Sequence, residues 1–174
     1  MSVMVNPDRS GMPRAAVNIT PDFGTMGSCL AILRIFLGIK LLVAGLEKWH
    51  WVSHSGLSAK LLEWIHRGAP IYWYVPFLER SVLRHPDLFT WLVVFGEVIL
   101  GALLIFGLYT RLASFFAIVM LLNYMFATWN LGFQWQGLNQ ALIAIAFTCM
   151  VTGAGRVFGL DVSNAFKNPK SVWW

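Results

Sequence analysis

Four stretches of the chain stay apolar for about 20 residues, the length of helix that spans the hydrocarbon core of a bilayer. They run from Ser28 to Leu46, Leu88 to Leu108, Leu112 to Trp129 and Leu138 to Phe158. Polar side chains inside them are few. Arg34 and Lys40 fall in the first, Glu97 in the second, Asn123 in the third, and Asn139 and Arg156 near the two ends of the fourth. This pattern predicts an all-α integral membrane protein built as an antiparallel four-helix transmembrane bundle over residues 28–161. A polar N-terminal tail (1–27) precedes it and a C-terminal tail (162–174) follows.

The connections are unequal. Tyr109-Thr110-Arg111 makes a tight turn, and Asn130 to Gly137 joins the last two segments without a charge. The first connection, residues 47–87, holds all four histidines. Within it Leu57, Leu61, Trp64 and Ile65 share one helical face, and Glu63 and Arg67 have the spacing of an i,i+4 ion pair. This predicts an interfacial helix lying on the membrane and ended by Pro70, with Tyr72-Trp73-Tyr74 anchored at headgroup level.

Composition strengthens the membrane reading. Hydrophobic residues make up 57% of the chain and charged residues 12%. Soluble domains carry about 25% charged residues, so too little charge remains to cover a water-exposed surface. Mean hydropathy is +0.64. The net charge of +5 suits loops beside anionic lipid headgroups, and no basic run exists to track a nucleic acid. Segment one is too long, and too far from the start, for a cleaved signal, so an uncleaved first transmembrane helix is expected. Arg111 sits in one short connection and no charge in the other, which predicts both termini on the cytoplasmic side; a prokaryotic inner membrane is the expected location. Asn18-Ile19-Thr20 matches a glycosylation sequon by pattern only.

A charge deep in a bilayer costs at least about 2.5–3.5 kcal/mol on insertion scales, so it faces the bundle interior and pairs. Arg34 shares a face with Gly38, Leu41 and Gly45, and Glu97 shares one with Gly101; such small residues let helix backbones approach. A buried Arg34–Glu97 pair is the first expectation. It either fixes helix packing or forms the polar end of a pocket for a quinone or proton. Lys40 either snorkels or lines that pocket, and Asn123 and Asn139 are interhelical hydrogen-bonding residues. Ala141, Ala144, Thr148, Thr152 and Gly155 form a small-residue stripe that reads as helix-packing surface. Cys149 shares a neighbouring face with Arg156, a setting that can lower a thiol pKa, although a lone membrane cysteine is usually inert.

His50 and His54, four residues apart, could present two rings to a metal or tetrapyrrole such as haem. No third ligand is identifiable, and no metal site is expected. No nucleotide loop, zinc signature or hydrolase elbow is present, and the residues by themselves do not identify an enzyme.

Three pieces carry a family resemblance: LRIFLGIKLLVAGLEKW, FGEVILGALLIFGLYTRLA and GAGRVFGLD. In this order they resemble the DoxX/DoxD family of small four-helix membrane proteins, and the long connection with WYVPFLERSV is more similar to the DoxD branch. The resemblance implies a role beside quinones, since DoxD is the small subunit of thiosulfate:quinone oxidoreductase. By position, the family's charged pattern falls on Arg34, Glu97, Arg111, Arg156 and Asp161. The expected function is a quinone-linked redox subunit. The alternative is a non-catalytic accessory subunit of a larger respiratory or photosynthetic complex, where nine tryptophans would suit contact with lipid, other membrane subunits or pigment. A transporter or channel is the weakest reading, because four short helices show no broken helix or inverted repeat.

Overall fold

The computed structural model describes residues 24–54 and 56–167; the Asn18-Ile19-Thr20 pattern and most of both tails lie outside the described residues. The chain runs α1 (Thr25–Glu47), α2 (Trp51–His54), α3 (Gly56–His66), α4 (Val75–Phe77), α5 (Pro86–Phe106), α6 (Thr110–Ala127), α7 (Phe133–Thr152) and α8 (Asp161–Lys167). Every regular element among the described residues is helical. The four long helices close a ring in which α1 packs on α5 and α7, and α6 packs on the same two. Helices α1, α5 and α6 are long and apolar enough to cross a membrane. Helix α7, 20 residues long, completes the bundle. Large apolar side chains such as Ile32, Leu92, Phe106, Phe147 and Val151 point outward, where a bilayer and not water is the matching solvent. The protein is an all-α membrane protein.

Chain punctuation explains the ends. Pro86 opens α5, where its missing N–H costs nothing. Gly107, at φ 65°, closes it, with Leu108 N–H reaching back to the Leu103 carbonyl as a Schellman cap requires. The fourth segment is displaced from expectation. Its helix begins at Phe133 and stops at Thr152, because Gly153 turns left-handed at φ 61°. The polar start Gln134, Gln136, Asn139 hid the beginning, and apolar residues beyond Gly153 disguised the end.

Glycine sets the closest helix contact. A Cβ on Gly38 would lie 2.8 Å from the Gly101 carbonyl oxygen and 2.9 Å from the Ile105 nitrogen. Gly45 lies as tightly against Glu97 and Val98. Backbone atoms cannot rotate aside, so Gly38→Ala should destabilise the bundle by about 1–3 kcal/mol. Thermal unfolding in detergent measures this, and Gly96→Ala, whose new methyl group meets only the Met120 sulfur at 3.8 Å, is the control.

The long connection folds back onto the bundle. Leu57 and Leu61 of α3 are buried with Tyr74, Leu78, Val82 and Ala127, and Trp64 and Ile65 pack beside them. The apolar face of α3 therefore covers protein. Arg67 pairs with Glu63 at 2.9 Å, and Lys60 bonds the same carboxylate at 2.9 Å. Gly68, at φ 64°, ends the helix, with Gly68 and Ala69 N–H groups capping the Ile65 and Trp64 carbonyls. The stop is this glycine cap and not Pro70. Of the aromatic run, Tyr72 and Trp73 stay exposed while Tyr74 turns inward.

Candidate functional site

Arg34 and Glu97 are both fully buried, but they are not partners. The α1–α5 register places Gly38 beside Gly101 and Ile105, and Gly45 beside Glu97. Arg34 thus lies eleven residues, or about 16 Å of helix, from the level of Glu97. Two separate polar centres result.

At one end of the bundle, Arg34 donates to the carbonyls of Ala154 at 2.8 Å, Val157 at 3.1 Å and Phe158 at 3.1 Å. Beside it the buried Asp161 carboxylate accepts the backbone N–H groups of Tyr109 and Thr110 at 2.8 and 2.9 Å. That places a negative charge at the start of α6, where the helix dipole favours it. Gly155 leaves room for Thr110 and Asp161 to sit against its backbone, and Gly107 and Gly159 do the same for the Arg34 guanidinium. The sequence pieces GLYTR and GAGRVFGLD meet here, as a clamp that ties the end of α7 to α1 and to the α5–α6 turn.

The second centre lies toward the long connection. Lys48 follows α1 directly, and its ammonium donates to both Glu97 carboxylate oxygens, at 2.7 and 2.8 Å. The Tyr124 hydroxyl donates to the same carboxylate at 2.7 Å. A third Lys48 bond, to the Ala44 carbonyl, is long at 3.3 Å. The ammonium also stands over the Tyr124 ring, 5.3 Å from its centroid. Glu97 is 1% exposed, so low polarity around it strengthens each bond.

Lys48 and Tyr124 form part of the wall of an apolar cavity of about 390 Å³, within the size range of small-molecule sites. The α5 face supplies Phe89, Val93, Gly96 and Leu100, and the α6 face supplies Phe116, Met120 and Asn123. Helix α3 and the following turns close the connection end with Leu61, Trp64 and Leu78. At this end the Tyr74 hydroxyl donates to the Asn123 side-chain carbonyl, and Asn123 donates to the Val119 carbonyl at 2.7 Å. Burial pushes the Tyr74 hydroxyl up to about 12, so it stays a neutral donor. A second, shallower depression around Phe106, Phe158 and Leu160 has no polar side chain in its wall.

The remaining candidates are scattered. Lys40 is exposed on the outer face of α1, near the Phe36 ring; it does not line the cavity. Asn139 is half-buried on α7, and Arg156 is exposed after Gly153. His50 is exposed and edge-on to Trp51, while the side chain of His54 lies outside the described residues. No group of three or more metal-binding side chains occurs among the described residues. Cys149 is buried, while Arg156 lies beyond the end of α7 and is exposed. The stripe on α7 lies mostly outside this bundle. Ala141, Ala144 and Thr152 face outward, and α7 packs into the bundle through Leu142, Ala146 and Cys149.

Sequence reasoning missed Lys48, Tyr124 and the cavity. One signal for Lys48 existed: positions 34, 38, 41, 45 and 48 alternate at four- and three-residue steps, so the inward face of α1 continues past Glu47 to Lys48.

Such a bundle, with a charge-balanced polar cluster on an apolar cavity, defines a small multi-helix membrane protein with an internal ligand-sized site. The DoxX family model matches residues 29–129, from α1 to just beyond the end of α6, and the chain belongs to the DoxX family. The match includes Lys48, Glu97 and Tyr124 and leaves α7 and the GAGRVFGLD segment outside. No solved structure matches the chain.

Proposed function

We propose that this protein is a quinone-binding subunit of a membrane redox complex, with the DoxD-like thiosulfate:quinone oxidoreductase as the specific assignment. The observation that carries the reading is the apolar cavity ending at Lys48 and Tyr124, with Glu97 balancing the charge behind them. A quinone ring and its tail match apolar walls, and its oxygens match this polar end. The Lys48 N–H now held by the long Ala44 bond is available to a ring carbonyl. The Tyr124 oxygen can accept from a ring hydroxyl while its own proton rests on Glu97, a path for a proton out of the cavity. This reading moves the polar end of the pocket from the Arg34–Glu97 pair to Lys48, Tyr124 and Glu97. Placement in a prokaryotic inner membrane with cytoplasmic termini belongs to the same proposal, supported by Arg111 in the α5–α6 turn.

Trp51 and Trp64 line the cavity and report on it. Decylubiquinone added to the protein in nanodiscs should quench tryptophan fluorescence saturably. Tyr124→Phe should weaken binding about two- to tenfold, the worth of one hydrogen bond. Membranes should reduce the quinone with thiosulfate, and Glu97→Gln should abolish that while the protein still folds. Absence of saturable quenching in the wild type would sink the reading.

A non-catalytic accessory role in a larger respiratory or photosynthetic complex has one observation of its own. Ala144, Thr148 and Thr152 recur at four-residue steps on the outer side of α7, with the two threonine hydroxyls bonded back to their own helix at 2.9 and 2.7 Å. Small residues at this spacing suit close contact with another transmembrane helix. Mild-detergent purification with mass spectrometry and a pigment and haem inventory tests it; a lone monomer counts against it.

A further inference from the structure

The cavity is walled on two sides by helix faces that also look out of the bundle. Of the residues lining it, Leu92 is 64% exposed, Ile99 53%, Phe116 50% and Val119 42%. These four side chains lie on α5 and α6, so the space between those helices is continuous with the outer apolar surface. Gly96 stands at the middle of this opening, opposite Met120, and a Cβ there would meet nothing nearer than the Met120 sulfur at 3.8 Å. A side chain at position 96 would fill open space.

The charges in the wall select the head of the ligand. At the inner end Lys48 is neutralised by two bonds to Glu97, whereas Lys60, 39% exposed at the rim, shares Glu63 with Arg67. At that inner end no net positive charge is left to hold a phosphate or carboxylate, and an anion there would be desolvated without a partner. An uncharged head with one or two oxygens satisfies the Lys48 N–H and the Tyr124 oxygen. From the level of Tyr124 to that of Phe116 the α6 wall runs eight residues, about 12 Å of apolar slot, and the slot ends at the lipid-facing surface.

We infer that the cavity is entered sideways from the bilayer between α5 and α6, through a doorway kept open by Gly96, and that it takes an uncharged head group on a long apolar tail. Anionic phospholipids are excluded by charge balance, not by size. The inference rests on reading this cavity as the ligand site, and not on the ligand being a quinone.

The test uses the whole protein in nanodiscs and two photoreactive probes, a long-chain alcohol carrying a tail diazirine and the matched alkyl sulfate. The alcohol should label residues 96–100 and 116–120 saturably, with competition by the same alcohol lacking the diazirine. Gly96→Leu should cut this labelling by about tenfold while thermal unfolding stays at the wild-type temperature; Gly96→Ala should not. The alkyl sulfate should label at least about fivefold less, the ratio for one buried charge without a partner. Should Gly96→Leu not fold, Met120→Trp closes the doorway from the other wall. Non-saturable labelling, or labelling unchanged when the doorway is filled, overturns lateral entry. Equal labelling by the sulfate overturns the selection for neutral heads. Saturable alcohol labelling without quinone binding leaves this inference standing and removes the quinone. Quinone binding without alcohol labelling does the reverse.

Discussion

Replacing Arg34 with Met is expected to destabilise the bundle by about 2–3 kcal/mol, since a buried acceptor left unpaired costs about 1–3 kcal/mol. The carbonyls of Ala154, Val157 and Phe158 each receive an Arg34 N–H at 2.8–3.1 Å. In the substituted protein the Val157 and Phe158 carbonyls lose this donor, and the Ala154 carbonyl keeps only the Val157 N–H at 3.3 Å. Arg34→Lys should recover only part of the loss, because a point ammonium cannot reach three carbonyls spread around a planar fork. Lys40→Met is the control, since Lys40 projects outward from the same helix, and it should change stability by no more than about 0.5 kcal/mol. Unfolding in a detergent titration measures all three. If Arg34→Met behaves like Lys40→Met, the clamp does not hold the bundle together.

The second large effect is expected at Lys48 and Glu97, and it should be strongly non-additive. Lys48→Met strands a carboxylate that is 1% exposed, a cost of about 3–5 kcal/mol for a buried pair broken on one side. Glu97→Leu should cost less, because the Lys48 side chain is 20% exposed and can turn its charge toward the surface. The double substitution Lys48→Met with Glu97→Leu removes both charges and should recover most of the loss, giving a coupling of about 2 kcal/mol or more. It should fold and fail to bind quinone. Additive single effects would show that the ion pair is not the interaction that matters.

Helix α1 shows how far the sequence could be read. Arg34, Gly38, Leu41 and Gly45 were expected on one inward face, and all four are buried. The partner of Arg34 was not legible. Two buried opposite charges on neighbouring helices look like a pair when only the face is known. The register decides, and the register is set by glycine contacts between helices distant in the chain. Which face of α7 packs inward was illegible for a related reason: beyond Gln140 no side of the helix is strongly polar, so no periodic contrast marks the packed face.

The cavity was illegible for another reason. Its walls come from α3, α5 and α6, and each wall residue taken alone reads as lipid-facing or core. Only the folding of the connection back between the start of α5 and the end of α6 leaves open space there.

By itself the sequence determined the solvent, the all-helical class and the burial of Arg34 and Glu97. Those follow from local composition and from the cost of placing charge in hydrocarbon. The tertiary structure decided who pairs with whom. It joined Arg34 to the carbonyls around Asp161 and Glu97 to Lys48 and Tyr124, and it turned α3 onto protein. Those outcomes depend on helix register and on chain reversal at Gly68, Gly107 and Gly153, which bring together residues that no local pattern connects.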